Sequence, residues 1–134
     1  MMQEQTLYEQ LGGDAGVKSL VQRFYSLMQE LPEARGILDL HPKDLTESIE
    51  KLYLFLSGWT GGPQLYVAKI GHPMLRRRHF PFSIGESERD QWMLCMDKAL
   101  AEHGLPGPSY ERLRSAFYRL ADHLKNQASK NQEE

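Results

Sequence analysis

The sequence contains a single cysteine, Cys95, among its 134 residues. One thiol excludes both an internal disulfide and a metal site built from several thiolates. The chain also lacks a Ser-His-Asp order, a phosphate-binding glycine loop and the H-E-x-x-H zinc pattern. No motif for a flavin or a nicotinamide cofactor is visible either. Because these familiar enzyme signatures are missing, any chemistry has to be sought in a less common arrangement of residues.

Strong net charge and long apolar runs are missing as well. The formal net charge is -2 at pH 7, which gives no reason to expect nucleic acid or an anionic membrane as a partner. Nothing in the sequence approaches the length of a membrane-spanning helix. Glu4 and Glu9 lie near the N-terminus without an apolar run, so no signal peptide is visible and we expect a cytoplasmic protein.

Length and composition favour a single globular domain. The chain has 40% hydrophobic and 25% charged residues, which is ordinary for such a protein. A length of 134 residues suffices for one core that encloses a small ligand. We expect residues 1–125 to form this domain and residues 126–134 to be a polar, frayed tail.

Apolar residues recur at helical spacing along most of the chain, and no stretch shows the alternation of a strand. The predicted fold class is therefore all-α. Thr6 and Glu9 are spaced as a capping box, and Asp14 and Ser109 are predicted to cap two later helices. Residues 61–63, GGP, break the chain, and residues 64–71 are predicted to be irregular. The other expected helices run from about Asp44 to Trp59, from Met74 to His79 and from Glu86 to Glu102.

The most informative stretch is residues 71–85, GHPMLRRRHFPFSIG. It has three arginines before His79, at the end of a predicted short helix, and phenylalanines directly after it. A haem needs a ligand to its iron, cations near its propionates and apolar walls, and this stretch has candidates for all three. The alternative is a solvent-facing helix end, where basic side chains favour the negative pole of the helix dipole. Spacing alone leaves both interpretations open.

Two aromatic residues could supply hydrogen-bond donors to a ligand pocket. Tyr25 lies beside the apolar stripe of its helix, and Trp92 lies early on the apolar side of another. Preorganised donors in a dry pocket would stabilise a polarised gas ligand. Alternatively, each is a core aromatic whose polar atom bonds to the backbone. His41 and His72 both precede prolines, which favours extended or turn conformations that sometimes line sites.

These residues resemble one family, the group II (O-type) truncated haemoglobins of bacteria. The resemblance extends from residues 7–13, LYEQLGG, to about Leu124. Its most specific parts are residues 71–84 and residues 88–92, ERDQW, followed by Cys95 and Met96. The resemblance implies a truncated globin fold, a two-over-two helical sandwich that encloses haem b (iron protoporphyrin IX).

The resemblance also implies a role for individual residues. His79 matches the proximal iron ligand, whereas Trp92, Tyr25 and His41 match positions that stabilise the gas ligand on the distal side. Ser48 matches the distal gate. The expected haem pocket further contains Leu52, Phe55, Leu75, Phe82, Ile84, Met96 and Phe117, and the expected propionate partners are Arg76, Arg78 and Tyr66.

Three functions remain in competition. The first is reversible binding of dioxygen and other diatomic gases at haem iron. The second is a haem-dependent redox enzyme, peroxidase-like or nitric-oxide-oxidising, which would need an electron-donor reductase as partner. The third is a haem-free helical module whose arginines contact an acidic partner. A monomer and a homodimer are equally compatible with the sequence.

Overall fold

The predicted capping box begins the fold in the computed structural model, which describes residues 5–127. The hydroxyl of Thr6 accepts a hydrogen bond from the Glu9 N–H at 3.1 Å, and the Glu9 carboxylate accepts one from the Thr6 N–H at 2.9 Å. This reciprocal pair satisfies two N–H groups that have no partner within the helix. It starts helix α1 (Leu7–Leu11), which ends at Gly12 in the left-handed region with φ of 107°.

The described residues are helical, with no strand among them, so the predicted all-α class is confirmed. Helix α2 (Gly13–Glu30) follows Gly12 directly, and Pro32 starts a turn of 3-10 helix (Pro32–Ala34) that separates α2 from α3 (Arg35–Leu38). None of the helices in the described part of the chain is both long and apolar enough to cross a membrane. The further helices are α4 (Thr46–Trp59), α5 (Leu65–Lys69), α6 (Leu75–His79), α7 (Glu86–His103) and α8 (Gly107–His123).

Two pairs of long helices form the core. Helix α2 packs against α4 and α7, and α7 packs in turn against α8, which gives the two-over-two arrangement. The ring of Phe24 on α2 lies 5.0 Å from that of Trp92 on α7, which lies 5.6 Å from that of Phe117 on α8. Burying each such side chain stabilises the fold by about 1.5–3 kcal/mol. The apolar stripe predicted for α2 is buried throughout: Val17, Leu20, Val21, Phe24, Leu27 and Met28.

Three local predictions are wrong. Two of them concern caps whose side chains bond to residues distant in sequence, and the third concerns a short helix that apolar spacing did not indicate. Asp14 does not cap α2, because its carboxylate accepts a hydrogen bond from the Tyr53 hydroxyl of α4. Ser109 does not cap α8, which already begins at Gly107, and its hydroxyl donates to Gln10. Residues 64–71 are not irregular throughout, since α5 forms one turn with Tyr66 buried on its inner side.

The predicted frayed tail begins too early. Asn126 and Gln127 both donate backbone N–H groups to the carbonyl of Ile84, at 2.8 and 3.0 Å. The rest of that prediction, residues 128–134, lies outside the described residues. Residues 126 and 127 therefore lie against the loop that follows α6.

Hydrogen bonds between helices fix the relative positions of the segments that carry the candidate functional residues. Arg23 on α2 forms a two-pronged pair with Glu102 on α7, at 2.6 and 3.2 Å. Gln91 on α7 accepts a hydrogen bond from the Ile37 N–H at 2.7 Å, and this contact anchors α3. Gly36 lets the two helices approach, because a Cβ there would come within 2.8 Å of the Gln91 side chain. The segment that carries His41 is thereby anchored to α7.

Candidate functional site

A cavity of about 480 Å³ opens between the two helix pairs. Its walls come mainly from aliphatic and aromatic side chains, many of them on α4, α6, α7 and α8, and charged side chains such as Lys51, Arg78 and Glu88 line part of it. This composition suits a largely apolar ligand that is oriented by a small number of polar contacts. Most of the sequence-predicted residues meet here: Tyr25, His41, Ser48, Leu52, Phe55, Tyr66, Leu75, Arg78, His79, Phe82, Ile84 and Trp92.

Three of the sequence-predicted residues lie elsewhere. Met96 and Phe117 are fully buried in the core instead of lining the cavity. Their helical spacing identified the inward face correctly but could not show how deep each residue lies. Phe117 contributes to the cavity indirectly, because its ring packs against the ring of Trp92, which lines the cavity. Arg76 does not line the cavity either, since its guanidinium donates to the carbonyl oxygen of His123 at 2.8 Å.

His79 is the last residue of α6, and a hydrogen bond fixes its ring. Its Nδ1 lies 2.6 Å from the carbonyl oxygen of Leu75, one turn earlier in the same helix. A carbonyl only accepts hydrogen bonds, so Nδ1 carries the proton and Nε2 keeps a free lone pair. A hydrogen bond of this kind orients metal-binding histidines and raises the basicity of the other nitrogen. The His79 ring is thus prepared as a ligand on the wall of the cavity.

Arg78 and Tyr66 form the cationic side of the cavity. The guanidinium carbon of Arg78 lies 5.8 Å from the centre of the Tyr66 ring. The Nε of Arg78 donates to the carbonyl oxygen of Pro73 at 2.7 Å, which ties the side chain to its own loop. A guanidinium held in this way offers its remaining N–H groups to an anion at small entropic cost.

Tyr25 and Trp92 contribute two hydrogen-bond donors to the lining of the cavity. No hydrogen bond joins the Tyr25 hydroxyl or the Trp92 indole N–H to another of residues 5–127, and because no fully buried side-chain polar atom there lacks a partner, both groups are accessible from the cavity. Tyr25 is only 6% exposed, and burial raises the pKa of its hydroxyl, so the phenol keeps its proton. Both groups are donors without a protein acceptor, which fits a polar ligand atom between them.

His41 lies beside Tyr25, with ring centres 5.7 Å apart and the planes nearly perpendicular. Its Nδ1 lies 2.8 Å from the carbonyl oxygen of Ile37, so in the neutral ring Nε2 is again an acceptor. Burial lowers the pKa of His41, opposed by the hydrogen bond to Ile37. The neutral imidazole therefore dominates at neutral pH.

Sequence reasoning missed several residues of the cavity wall. Leu120 and Leu124 recur at helical spacing along the last helix, but helical spacing does not separate core from cavity. Lys51 and Arg89 gave no signal, because each lies among other charged residues in the sequence. Arg89 is held by Asp90 and Asp122, at 2.9 and 2.8 Å, and these partners raise its pKa. The other missed residues are Ile37, Leu40, Pro42, Glu88 and Ala121.

A second depression, of about 980 Å³, lies between α2 and the start of α4. It is larger than the cavity, but charged side chains such as Lys18, Asp44 and Glu50 form much of its wall. Such a wall does not suit an apolar macrocycle. The depression shares Pro42, Ser48, Lys51 and Phe82 with the cavity, so the two spaces meet at a boundary that includes the predicted gate residue Ser48.

A helical sandwich with an apolar cavity and a histidine prepared as a ligand defines a globin-like protein. Residues 6–126 match the family model described as bacterial-like globin. The chain belongs to this bacterial-like globin family and, within it, to the group II truncated haemoglobins. Haem b is the cofactor of this family, so the family, fold and cofactor predicted from the sequence are confirmed.

Individual relatives place the chain more closely. It is 39% identical over 120 residues to the group 2 truncated hemoglobin YjbI of Bacillus subtilis, covering 90% of this chain and 88% of that protein. The group II 2-on-2 hemoglobin from the plant pathogen Agrobacterium tumefaciens superposes with a TM-score of 0.90 at 48% identity, covering 95% and 98%. The truncated oxygen-avid haemoglobin from Bacillus subtilis superposes with a TM-score of 0.82 at 37% identity, covering 91% and 100%.

Proposed function

We propose that the chain holds haem b in the cavity through Nε2 of His79 and binds dioxygen and other diatomic gases on the distal side. The observation that carries this proposal is the hydrogen bond from His79 Nδ1 to the Leu75 carbonyl at 2.6 Å. It leaves Nε2 as the basic nitrogen of a side chain that lines an apolar cavity of about 480 Å³. Iron in haem is commonly held by a single neutral imidazole.

Haem supplies the iron to which a diatomic gas binds, and the protein controls how long the gas stays. The Trp92 indole and the Tyr25 hydroxyl are donors without protein acceptors in the described part of the chain. A hydrogen bond to a neutral acceptor contributes about 1 kcal/mol, and one to a charged acceptor about 1.5–3 kcal/mol. Since about 1.4 kcal/mol corresponds to a factor of ten, two such donors slow gas release by one to several decades.

The propionates of haem would lie toward Arg78 and Lys51. Both cations line the cavity, and Arg78 is already oriented by Pro73 and by the Tyr66 ring. Lys51 pairs with Glu47 at 2.8 Å but is half-exposed, so it can turn toward a carboxylate. Arg76 is not one of these propionate partners, because its guanidinium donates to the carbonyl oxygen of His123.

Slow release favours scavenging, sensing or redox chemistry over bulk transport. The oxygen-avid haemoglobin of Bacillus subtilis is one relative whose description agrees with tight retention. Family membership leaves no support for the haem-free interaction module.

A redox activity at the same site is the second candidate. The neutral His41 ring presents an acceptor nitrogen near the Tyr25 ring, and such a group could accept a proton from a peroxide substrate and return it to the leaving oxygen. Sustained turnover would need electrons from a separate reductase. Steady nitric oxide or peroxide consumption with a reductase, abolished in His41→Phe, would favour this activity over simple binding.

The test of the proposal is spectroscopic. Purified wild-type protein is expected to show a Soret band and a five-coordinate ferrous spectrum. His79→Gly should lose the haem or retain it only with added imidazole, which occupies the vacated space and supplies the missing nitrogen. The matched control is His72→Gly, since His72 is exposed in the loop before α6. A normal ferrous spectrum of His79→Gly without imidazole would refute the ligand assignment.

A further inference from the structure

We propose that Asn126 is a positioning residue for the proximal histidine: its side chain holds the C-terminal end of α6 and so sets where His79 meets the haem. This inference depends on the proposed function of the cavity. It concerns a residue beyond the last helix, in a segment where the sequence predicted only a frayed tail.

Apart from the contact with Asn126, helix α6 has few interactions that fix its position. It contains five residues, and none of them is buried. Apolar packing, which fixes most helices in proteins, therefore contributes little to its position. The helix nevertheless carries the residue whose ring has to be placed within a few tenths of an ångström relative to a metal.

The C-terminal end of α6 has only a few local donors, one of which is the Phe80 N–H, which donates to the Arg77 carbonyl at 3.3 Å. The last carbonyls of a helix need donors from outside, and these commonly come from the N–H groups of the residues that follow. Here the second following residue is Pro81, which has no N–H to donate. The His79 carbonyl does accept from the Phe82 N–H at 3.0 Å. A further donor to this carbonyl comes from a part of the chain that is remote in sequence.

Asn126 is that donor. Its Nδ2 lies 3.2 Å from the carbonyl oxygen of His79 and 2.8 Å from that of Phe82. Its Oδ1 accepts the Ile84 N–H at 2.9 Å, and its own backbone N–H donates to the Ile84 carbonyl at 2.8 Å. The amide orientation is determined by its partners, since an N–H requires the oxygen and two carbonyls require the NH₂ group.

A second hydrogen bond joins the same two segments one turn away. Arg76, near the start of α6, donates to the carbonyl oxygen of His123 at 2.8 Å, the last residue of α8. The end of α8 and the residues after it thus contact α6 at both ends. Because α8 packs on the core helix α7, this arrangement connects the proximal histidine to the rigid part of the fold.

The first measurement asks whether this contact exists in solution. Amide exchange at Ile84 is followed in the haem-loaded protein in its diamagnetic carbon monoxide form. Asn126→Ala should speed this exchange about tenfold, because the acceptor of the Ile84 N–H is removed. Gln127→Ala is the matched control, since it keeps the Gln127 backbone bond to Ile84 and every side-chain bond from Asn126 to residues 79–84.

The second measurement separates positioning from general stabilisation. In deoxyferrous protein, the Fe–His stretching band should shift or broaden in Asn126→Ala, and haem transfer to a scavenging apoglobin should accelerate about tenfold or more. Asn126→Asp keeps the acceptor for Ile84 but turns a carboxylate oxygen toward the carbonyls of His79 and Phe82. It should leave Ile84 exchange slow and still change the Fe–His band, which a merely structural role does not predict.

Each result of these measurements either supports or contradicts the positioning role of Asn126. Faster Ile84 exchange with an unchanged Fe–His band and unchanged haem transfer would overturn the positioning role while leaving the proposed haem site intact. Unchanged exchange in Asn126→Ala would overturn it as well. Failure of the proposed function is recognised separately, because wild-type protein would then lack a Soret band or keep it in His79→Gly.

Discussion

His41 and His79 make the same hydrogen bond in the wall of one cavity. Each ring Nδ1 lies against the carbonyl oxygen four residues earlier, at 2.8 Å for His41 and 2.6 Å for His79. In the neutral form, both rings therefore present an Nε2 lone pair. For His79 this is the nitrogen that iron requires, whereas for His41 it means that the ring accepts hydrogen bonds until it is protonated.

The first prediction concerns the acid stability of the protein without haem. Burial lowers the pKa of His41 below its ordinary value of about 6.5, so the unfolded chain binds a proton more readily than the folded one. The stability contributed by neutral His41 is complete above about pH 6.5 and is lost as the pH falls through the folded-state pKa. Thermal midpoints of apoprotein between pH 8 and pH 5 should fall less in His41→Phe than in wild type.

Most other titrating groups are common to both of these proteins, so the difference between the two curves reports His41 together with its electrostatic interaction with His79, which also lowers the pKa of His41. Parallel midpoint curves for wild type and His41→Phe would contradict the assignment of this ring as a buried neutral base.

The second prediction tests the distal donor on α7. Trp92→Phe keeps an aromatic ring against Phe24 and Phe117 but removes the indole N–H. Dioxygen release should accelerate about tenfold, which corresponds to one lost hydrogen bond of about 1.4 kcal/mol. Stopped-flow displacement of dioxygen by carbon monoxide measures this rate.

Trp59→Phe is the matched control for Trp92→Phe. Trp59 is the other tryptophan of the chain and also contacts Phe117, at 4.7 Å between ring centres, but it does not line the cavity. Its substitution should leave dioxygen release within about twofold of wild type. Equal acceleration in the two variants would show that repacking around Phe117, and not the lost donor, controls release.

How much of this site the sequence could predict depends on how far apart in the sequence the interacting residues lie. The capping box at Thr6 and the buried stripe of α2 were predictable, because helical spacing and local hydrogen bonds act within a few residues. The residue types around His79 admitted both a haem site and a solvent-facing helix end. Family and cofactor followed from the resemblance of this stretch, together with residues 88–92, to a known family.

What could not be predicted depends on contacts between remote segments. Asn126 is one polar residue in a polar segment, and nothing in its neighbours indicates that it meets the carbonyls of His79 and Phe82. Asp14 and Ser109 have the composition of caps, but Tyr53 and Gln10 engage them instead. Apolar spacing likewise shows which face of a helix points inward, without showing whether a residue reaches the core or the cavity.

The third prediction concerns the propionate partner on α6. Arg78→Ala should accelerate haem loss about five- to tenfold, because a guanidinium held by Pro73 and Tyr66 is lost from the cavity wall. Arg77→Ala is the matched control, since Arg77 is the adjacent exposed cation and does not line the cavity. Haem transfer to a scavenging apoglobin measures both, and equal effects would mean that net charge alone retains the haem.

The fourth prediction concerns the crossing of α1, α2 and α7. A Cβ at Gly16 would lie 1.8 Å from the carbonyl oxygen of Leu11, which also accepts a hydrogen bond from His103 Nε2 at 2.6 Å. Gly16→Ala therefore has to displace backbone and should lower the free energy of unfolding by about 3 kcal/mol. Gly107→Ala is the contrasting substitution, because nothing beyond its chain neighbours lies within 4 Å of a Cβ there. Pro108 disfavours a helical conformation of a non-glycine residue at 107, so this substitution should change stability by no more than about 1 kcal/mol. Urea denaturation followed by circular dichroism compares the two, and similar midpoints for both variants would show that α1 does not approach α2 this closely in solution.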